Sequence, residues 1–250
     1  MSLFKPRYAD GQVLQIEGLS VRLRVSARAT RVSLRVDRAT GEAIAVAPSA
    51  AALKHAAGFA HERRAWLRAQ LAEAPAPAPA LRADDRLSAL GEVWRLHPDG
   101  RRPRLAPPGP DGVRALVGCG DGEVDPMIVA RVVKREARVA FEASAAAHCA
   151  SLRVPRPPIG LMDARTRWGS CTPDQRGRGA SIRLSWRLAL APWPVADYVV
   201  AHECAHLLEG NHGPRFWALV RELVGDPAPH RRWLRAEGPR LHGLLSAGRG

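Results

Sequence analysis

A chain of 250 residues, 46% hydrophobic, has the material for one large core or two small ones, and its four cysteines (Cys119, Cys149, Cys171, Cys204) stand too far apart for a disulfide framework or a CxxC zinc knuckle. The formal net charge is +14, and with lysine only at 5, 54 and 134, 35 of the 38 basic residues are arginine. Such a field attracts polyanions and phosphate-bearing substrates, but the arginines are scattered and no basic strip is interleaved with aromatics, so charge permits nucleic acid and no motif indicates it.

The opening "MSLFKPRYADGQ" carries no apolar signal core, and no segment offers the ~20 uncharged apolar residues that cross a bilayer; a soluble protein of the reducing cytoplasm, without membrane contact, is expected. From Val13 to Pro48 the chain alternates, in "VRLRV" (21–25), "RVSLRV" (31–36) and "EAIAV" (42–46), with "DRATGE" as a turn, which predicts antiparallel strands with one buried face. A helix then follows from Ser49 as N-cap, with an apolar stripe through Leu53, Ala57, Ala60, Trp66 and Leu67. "APAPAPA" (74–80) stops it and reads as a stiff extended spacer.

Strands are predicted at "EVWRLH" (92–97), "RPRLA" (102–106) and "GVRALV" (112–117), as a second antiparallel set between the turns "PDGR" and "PPGPDG". Residues 125–152 predict a long helix, with Asp125 as N-cap and Pro126 at its first position. "PIGLMDARTRWGSC" and "GASIRLSW" predict two strands joined by "TPDQRGRG". The helix "PVADYVVAHECAHLLEG" is expected to end at Gly210, before "PRFWALVRELVGD" and a terminal helical stretch near 227–245. The sequence shows no internal repeat.

The chemistry concentrates in "HECAHLLEGNH" (202–212). Residues four apart share a helix face, so His202 and His206 can present two imidazoles to one ion while Glu203 flanks it. His212, two residues beyond Gly210, can return a third imidazole, and three protein ligands leave the open fourth position of a catalytic zinc. Zinc is the default ion for imidazoles, with manganese, cobalt and nickel as alternatives. The preceding "ADYVVA" is apolar, and two histidines and a glutamate on a buried helix are costly unless paired or bound to metal. Rival third ligands are Glu222, Glu209 and His230. The spacing also matches metzincins, but position 209 is Glu rather than Gly and no methionine follows the motif to make a Met-turn.

"RWGSC" (167–171) followed by "IRLSWRLALAPWPVADYVVAHECAHLLEGNHGPRFW" (182–217) resembles the YgjP-like metal-dependent hydrolases, relatives of the SprT-like proteases among the zincins. The match is specific from about 160 to 235, and the β-rich N-terminal part resembles the family's layout. The loop after Cys171 is longer than the family's, and Ser185 stands where asparagine is common. The resemblance implies His202, His206 and His212 as ligands and Glu203 as the catalytic carboxylate. Arg167, Tyr198 and Arg215 are candidate oxyanion stabilisers. Cys171 has no base assigned to it and is expected on a strand near the metal helix, where Trp168 packs and Gly169 allows close approach. In zincins an edge strand beside the metal helix can hold an extended peptide. Phe216 and Trp217 are expected as core anchors.

The expected fold is α+β and zincin-like, with an antiparallel β-rich N-terminal part and a helical metal-binding C-terminal part. The division expected is 1–80 and 81–250, or one family domain from about 20 to 240. The expected function is a metal-dependent hydrolase with zinc-activated water, a metallopeptidase acting on a peptide or protein. The alternatives are a nucleotide phosphohydrolase of the nucleoside triphosphate pyrophosphatase type, and a non-catalytic nucleic-acid-associated module with a structural metal.

Overall fold

The computed structural model describes residues 8–37, 42–72, 80–99, 102–120, 122–164, 166–174, 177 and 179–245. Apart from Ala80 the Ala/Pro spacer lies outside them, as do residues 38–41 of the "DRATGE" turn and positions 175, 176 and 178 of the loop after Cys171. Contacts divide the chain between residues 78 and 79 into two compact units. Among the described residues no helix is long and apolar enough to cross a membrane.

The first unit is a four-stranded sheet covered by helix. Strands β1 (Val13–Ile16), β2 (Leu19–Val25), β3 (Ser33–Asp37) and β4 (Glu42–Ala47) lie in the order β1-β2-β4-β3. Glu17 (φ 47°) and Gly18 (φ 82°) close the β1–β2 hairpin, the left-handed pair that a type I′ turn needs. The antiparallel expectation is corrected at the centre, where β2 and β4 run parallel. The reason lies in β4 itself: Ala43, Ile44 and Ala45 are all buried, which suits a central strand, whereas β3 alternates and takes the edge.

The single helix expected after Ser49 is two. The Ser49 side chain makes no capping bond, a 3-10 turn (Ala50–Ala52) precedes α1 (Leu53–Glu62), and Arg63 (φ −97°, ψ 17°) separates α1 from α2 (Arg64–Ala72). Leu53, Ala57, Ala60 and Leu67 are buried with Ile16, Val21 and Leu23 of the sheet. Trp66 leaves the predicted stripe at 44% exposure, because the break at Arg63 interrupts the helical phase.

The second unit opens with the same topology. Strands β5 (Arg86–Ala89), β6 (Glu92–His97), β7 (Arg104–Pro108) and β8 (Arg114–Val117) are ordered β5-β6-β8-β7, with β6 and β8 parallel rather than antiparallel. Leu90 (φ 55°) and Gly91 (φ 80°) form another type I′ turn. The registers repeat too: Leu23 pairs with Ala45 and Ala45 with Leu34, as Leu96 pairs with Leu116 and Leu116 with Leu105. A duplicated ββββ element is present that no sequence period reveals, since only the alternation and turn geometry recur.

Helix α3 (Pro126–Ser151) starts where its signals lie, with the Asp125 carboxylate accepting from the Met127 amide at 2.8 Å. The stretch 158–171, expected as one strand, contains two, β9 (Ile159–Met162) and β10 (Gly169–Thr172). With β11 (Ser181–Ser185) they form a sheet ordered β10-β11-β9, which leaves β10 at an edge. After a 3-10 turn (Trp186–Leu190) come α4 (Trp193–Ala205), α5 (Pro214–Val224) and α6 (Ala228–Gly243). Helix α4 is apolar on nearly every side, so it must be central, and it packs against α3, α5, α6 and β10. Trp94, Phe141, Trp186 and Phe216 lie fully inside this unit's core, each contributing ~1.5–3 kcal/mol by leaving water.

Candidate metal centre

Helix α4 ends at Ala205, five residues before the expected Gly210 stop, and His206 is its C-cap. The Leu207 and Leu208 amides bond three residues back, to the carbonyls of Cys204 and Ala205, and this tighter turn, not a left-handed glycine, ends the helix. The chain then folds over, and the Nε2 atoms of His212 and His202 come to 3.1 Å. One donor atom from each of His202, His206 and His212 lies within 4.8 Å of the others, and among the described residues the cluster has no fourth donor. Glu222 is exposed on α5, and His230 stacks on Tyr198 at 5.6 Å. Glu209 enters only through its backbone, its carbonyl lying 2.9 Å from His206 Nδ1. With the proton on Nδ1, Nε2 of His206 is left with its lone pair free, the arrangement that outer carbonyls impose on ligating histidines.

The electrostatics favour neutral imidazoles, the form that ligates. His202 is held down to about 3, first by burial, then by His206, His212 and Arg231. His212 is lowered too, by burial and then by His206 and Arg231. The Nδ1 of His202 is buried and has no hydrogen-bond partner among the described residues. Phe216, fully buried, packs among all three rings at 4.5–4.8 Å. Trp217, expected as a core anchor, is only half-buried and stands edge-on beside His202 and tilted beside His212.

Glu203 is 5% exposed, and burial raises its carboxyl to about 7 against one opposing hydrogen bond from the Cys171 backbone amide. That bond comes from the open side of β10. Trp168 accepts from the Ser185 amide at 2.7 Å, so by antiparallel alternation Ser170 also bonds β11, while Gly169 and Cys171 turn their backbone groups to the unpaired edge. Glu203, next to His202 in α4, is thereby joined to the outer edge of β10. The Cys171 thiol is pushed up to about 11, by burial and then by the charges of Glu203 and Cys149, so it is no thiolate nucleophile near neutrality.

Of the expected oxyanion groups, Tyr198 is buried one turn before His202 with its ring 5.9 Å away, whereas Arg167 and Arg215 are solvent-exposed. Ser185, the departure from the family pattern, is fully buried, and its hydroxyl has no partner among the described residues. Two features escaped sequence reading. Asp197 accepts from Ser144 at 2.5 Å and lies 3.0 Å from His148 Nε2, tying α4 to α3. Arg231 lies over the Trp217 ring. Neither stands at a recognisable spacing from the motif, because both depend on how separate helices pack.

No curated protein and no solved structure matches the chain. The family profile described as YgjP-like, metallopeptidase domain, matches residues 30–237. That span holds the three convergent histidines, Glu203 and the β10 edge, and the chain belongs to the YgjP-like metallopeptidase domain family.

Proposed function

We propose that the protein is a zinc-dependent peptidase in which His202, His206 and His212 hold the ion and Glu203 carries the proton. The observation that supports this most is Glu203 itself, buried next to His202 on α4 and hydrogen-bonded to the outer edge of β10. His202, His206 and His212 would hold the ion: their donor atoms lie within 4.8 Å of one another, those of His202 and His212 at 3.1 Å, and three imidazoles are a donor set that suits zinc. When bound, such an ion lowers the pKa of a coordinated water toward neutrality and polarises the carbonyl under attack.

The chain's own residues supply the rest. The raised affinity of Glu203 for a proton lets its carboxylate take one from water at neutral pH and hand it to the leaving amine. The His206 side chain is held in register by the Glu209 carbonyl. The outward-facing backbone of Gly169 and the Cys171 carbonyl, beside the Cys171 amide that holds Glu203, can pair with an extended peptide and fix the scissile carbonyl by added-strand bonds. Three donors without a fourth among the described residues favour a catalytic over a structural ion.

The test is metal content by elemental mass spectrometry on protein purified without a histidine tag, together with peptide turnover. Wild type should hold about one zinc per chain. Glu203→Gln should keep the zinc and the fold and lose turnover, whereas His206→Ala should lose both zinc and turnover. Full turnover in Glu203→Gln would sink the assignment.

A further inference from the structure

The first turn of α6 sets Arg231 beside the histidine site. Its guanidinium carbon is 4.8 Å from the Trp217 ring centroid, and that ring is 5.9 Å from His212 and 6.0 Å from His202. The guanidinium thus lies at most about 11 Å from the imidazoles, the reach of about three extended residues.

Arg231 is exposed at the surface of α6. Among the described residues no carboxylate pairs with it, although Arg22, Arg95 and Arg187 all have acidic partners. Its place over the Trp217 ring restrains the guanidinium, and among the described residues no side chain or backbone carbonyl takes its N–H donors. An arginine held in this way presents a preorganised fork to a planar anion, and the planar anion of a peptide is a carboxylate.

We propose that Arg231, held on Trp217, binds a carboxylate of the peptide substrate within about three residues of the bond that is cut. This rests on the peptidase reading and adds a substrate class to it: peptides with an acidic group close to the cleavage point. The carboxylate is either the free end of a chain or an Asp or Glu side chain, and the experiment separates the two.

Purified full-length Glu203→Gln protein, immobilised, is offered an equimolar mixture of three hexapeptide sets. One has free C-termini and no acidic residues, the second has the same sequences amidated, and the third is amidated with one Asp or Glu. Retained peptides are quantified by mass spectrometry. At least one carboxylate-bearing set should be enriched about tenfold or more over the neutral amidated set. Adding Arg231→Ala should erase the enrichment and Arg231→Lys should keep part of it, with the melting temperature unchanged in both. Equal retention of the three sets, including no retention of any, overturns the proposal, as does enrichment that survives Arg231→Ala. Failure of the peptidase reading shows separately, as absence of cleavage of all three sets by the wild-type chain.

Discussion

Gly169 on β10 and Glu203 on α4 touch where no side chain fits: a β-carbon at 169 would stand 2.6 Å from Glu203 Cγ and 2.7 Å from its Cδ. The glycine of "RWGSC" is thus explained by contact rather than by turn geometry, since Gly169 lies within a strand and has no left-handed φ. Gly169→Ala should push the carboxylate or the strand by several tenths of an ångström or more. Misplacing a catalytic group by about 1 Å costs ~100-fold, so kcat on a peptide substrate should fall by about that factor with zinc content unchanged. A kcat within twofold of wild type would show that this contact does not position Glu203.

Removing the metal should destabilise the second unit. An ion that binds only the folded site at a free concentration of 1,000 Kd adds ~4 kcal/mol, and at 2–4 °C per kcal/mol this is a rise in Tm of about 10 °C. Adding zinc to chelator-treated wild type should give that rise by calorimetry. In His212→Ala it should vanish while the metal-free melting temperature stays close to wild type, because His212 is exposed and its loss leaves no cavity. A full rise in the variant would remove His212 from the ligand set.

What was legible in the sequence was local. Asp125 and Pro126 announce α3, and the spacing of His202 and His206 announces a shared helix face because both signals act within one turn. The parallel pairings β2–β4 and β6–β8 were not legible, since alternation states which face is buried and not which strand lies alongside. The break at Arg63 contains neither Gly nor Pro, and "RLSA" of β5 is too short for its period to register. The site divides in the same way. The three histidines stand within eleven residues, but the approach of Gly169 and the stack of Arg231 on Trp217 depend on contacts among β10, α4, α5 and α6 that no spacing encodes.

The pair His148–Asp197 should make stability sensitive to acid. Burial works to raise the Asp197 carboxyl, but the hydrogen bonds from His148 and Ser144 and the charges of His148 and His230 outweigh it and leave the pKa below the ordinary 3.8. A depressed carboxylate contributes stability above its unfolded pKa and loses it as pH falls through the folded value, here below about pH 4. Asp197→Asn should therefore cost about 1–3 kcal/mol at pH 7 in urea denaturation, and the difference from wild type should shrink toward zero below about pH 3. A cost that does not depend on pH would assign the loss to packing.

Trp168 connects α6 to the strand that carries Gly169. Its ring stacks on His242 at 4.7 Å with 17° between planes, and a β-carbon at Gly238 would stand 2.8 Å from its Cζ2. Its carbonyl accepts from the Ser185 amide, and the next residue is Gly169. Gly238→Ala must displace either the indole or α6, an overpacking cost of ~1–3 kcal/mol in stability. If the indole moves, β10 moves with it, and turnover should fall although residue 238 is remote from the histidines in sequence. The double variant Gly169→Ala/Gly238→Ala separates the two routes. A shared displacement of β10 makes the combined loss in kcat/KM, expressed as free energy, smaller than the sum of the single losses, because the strand shifts once. Strict additivity would mean that the α6 contact acts on stability alone and that Glu203 is positioned by Gly169 without help from Trp168.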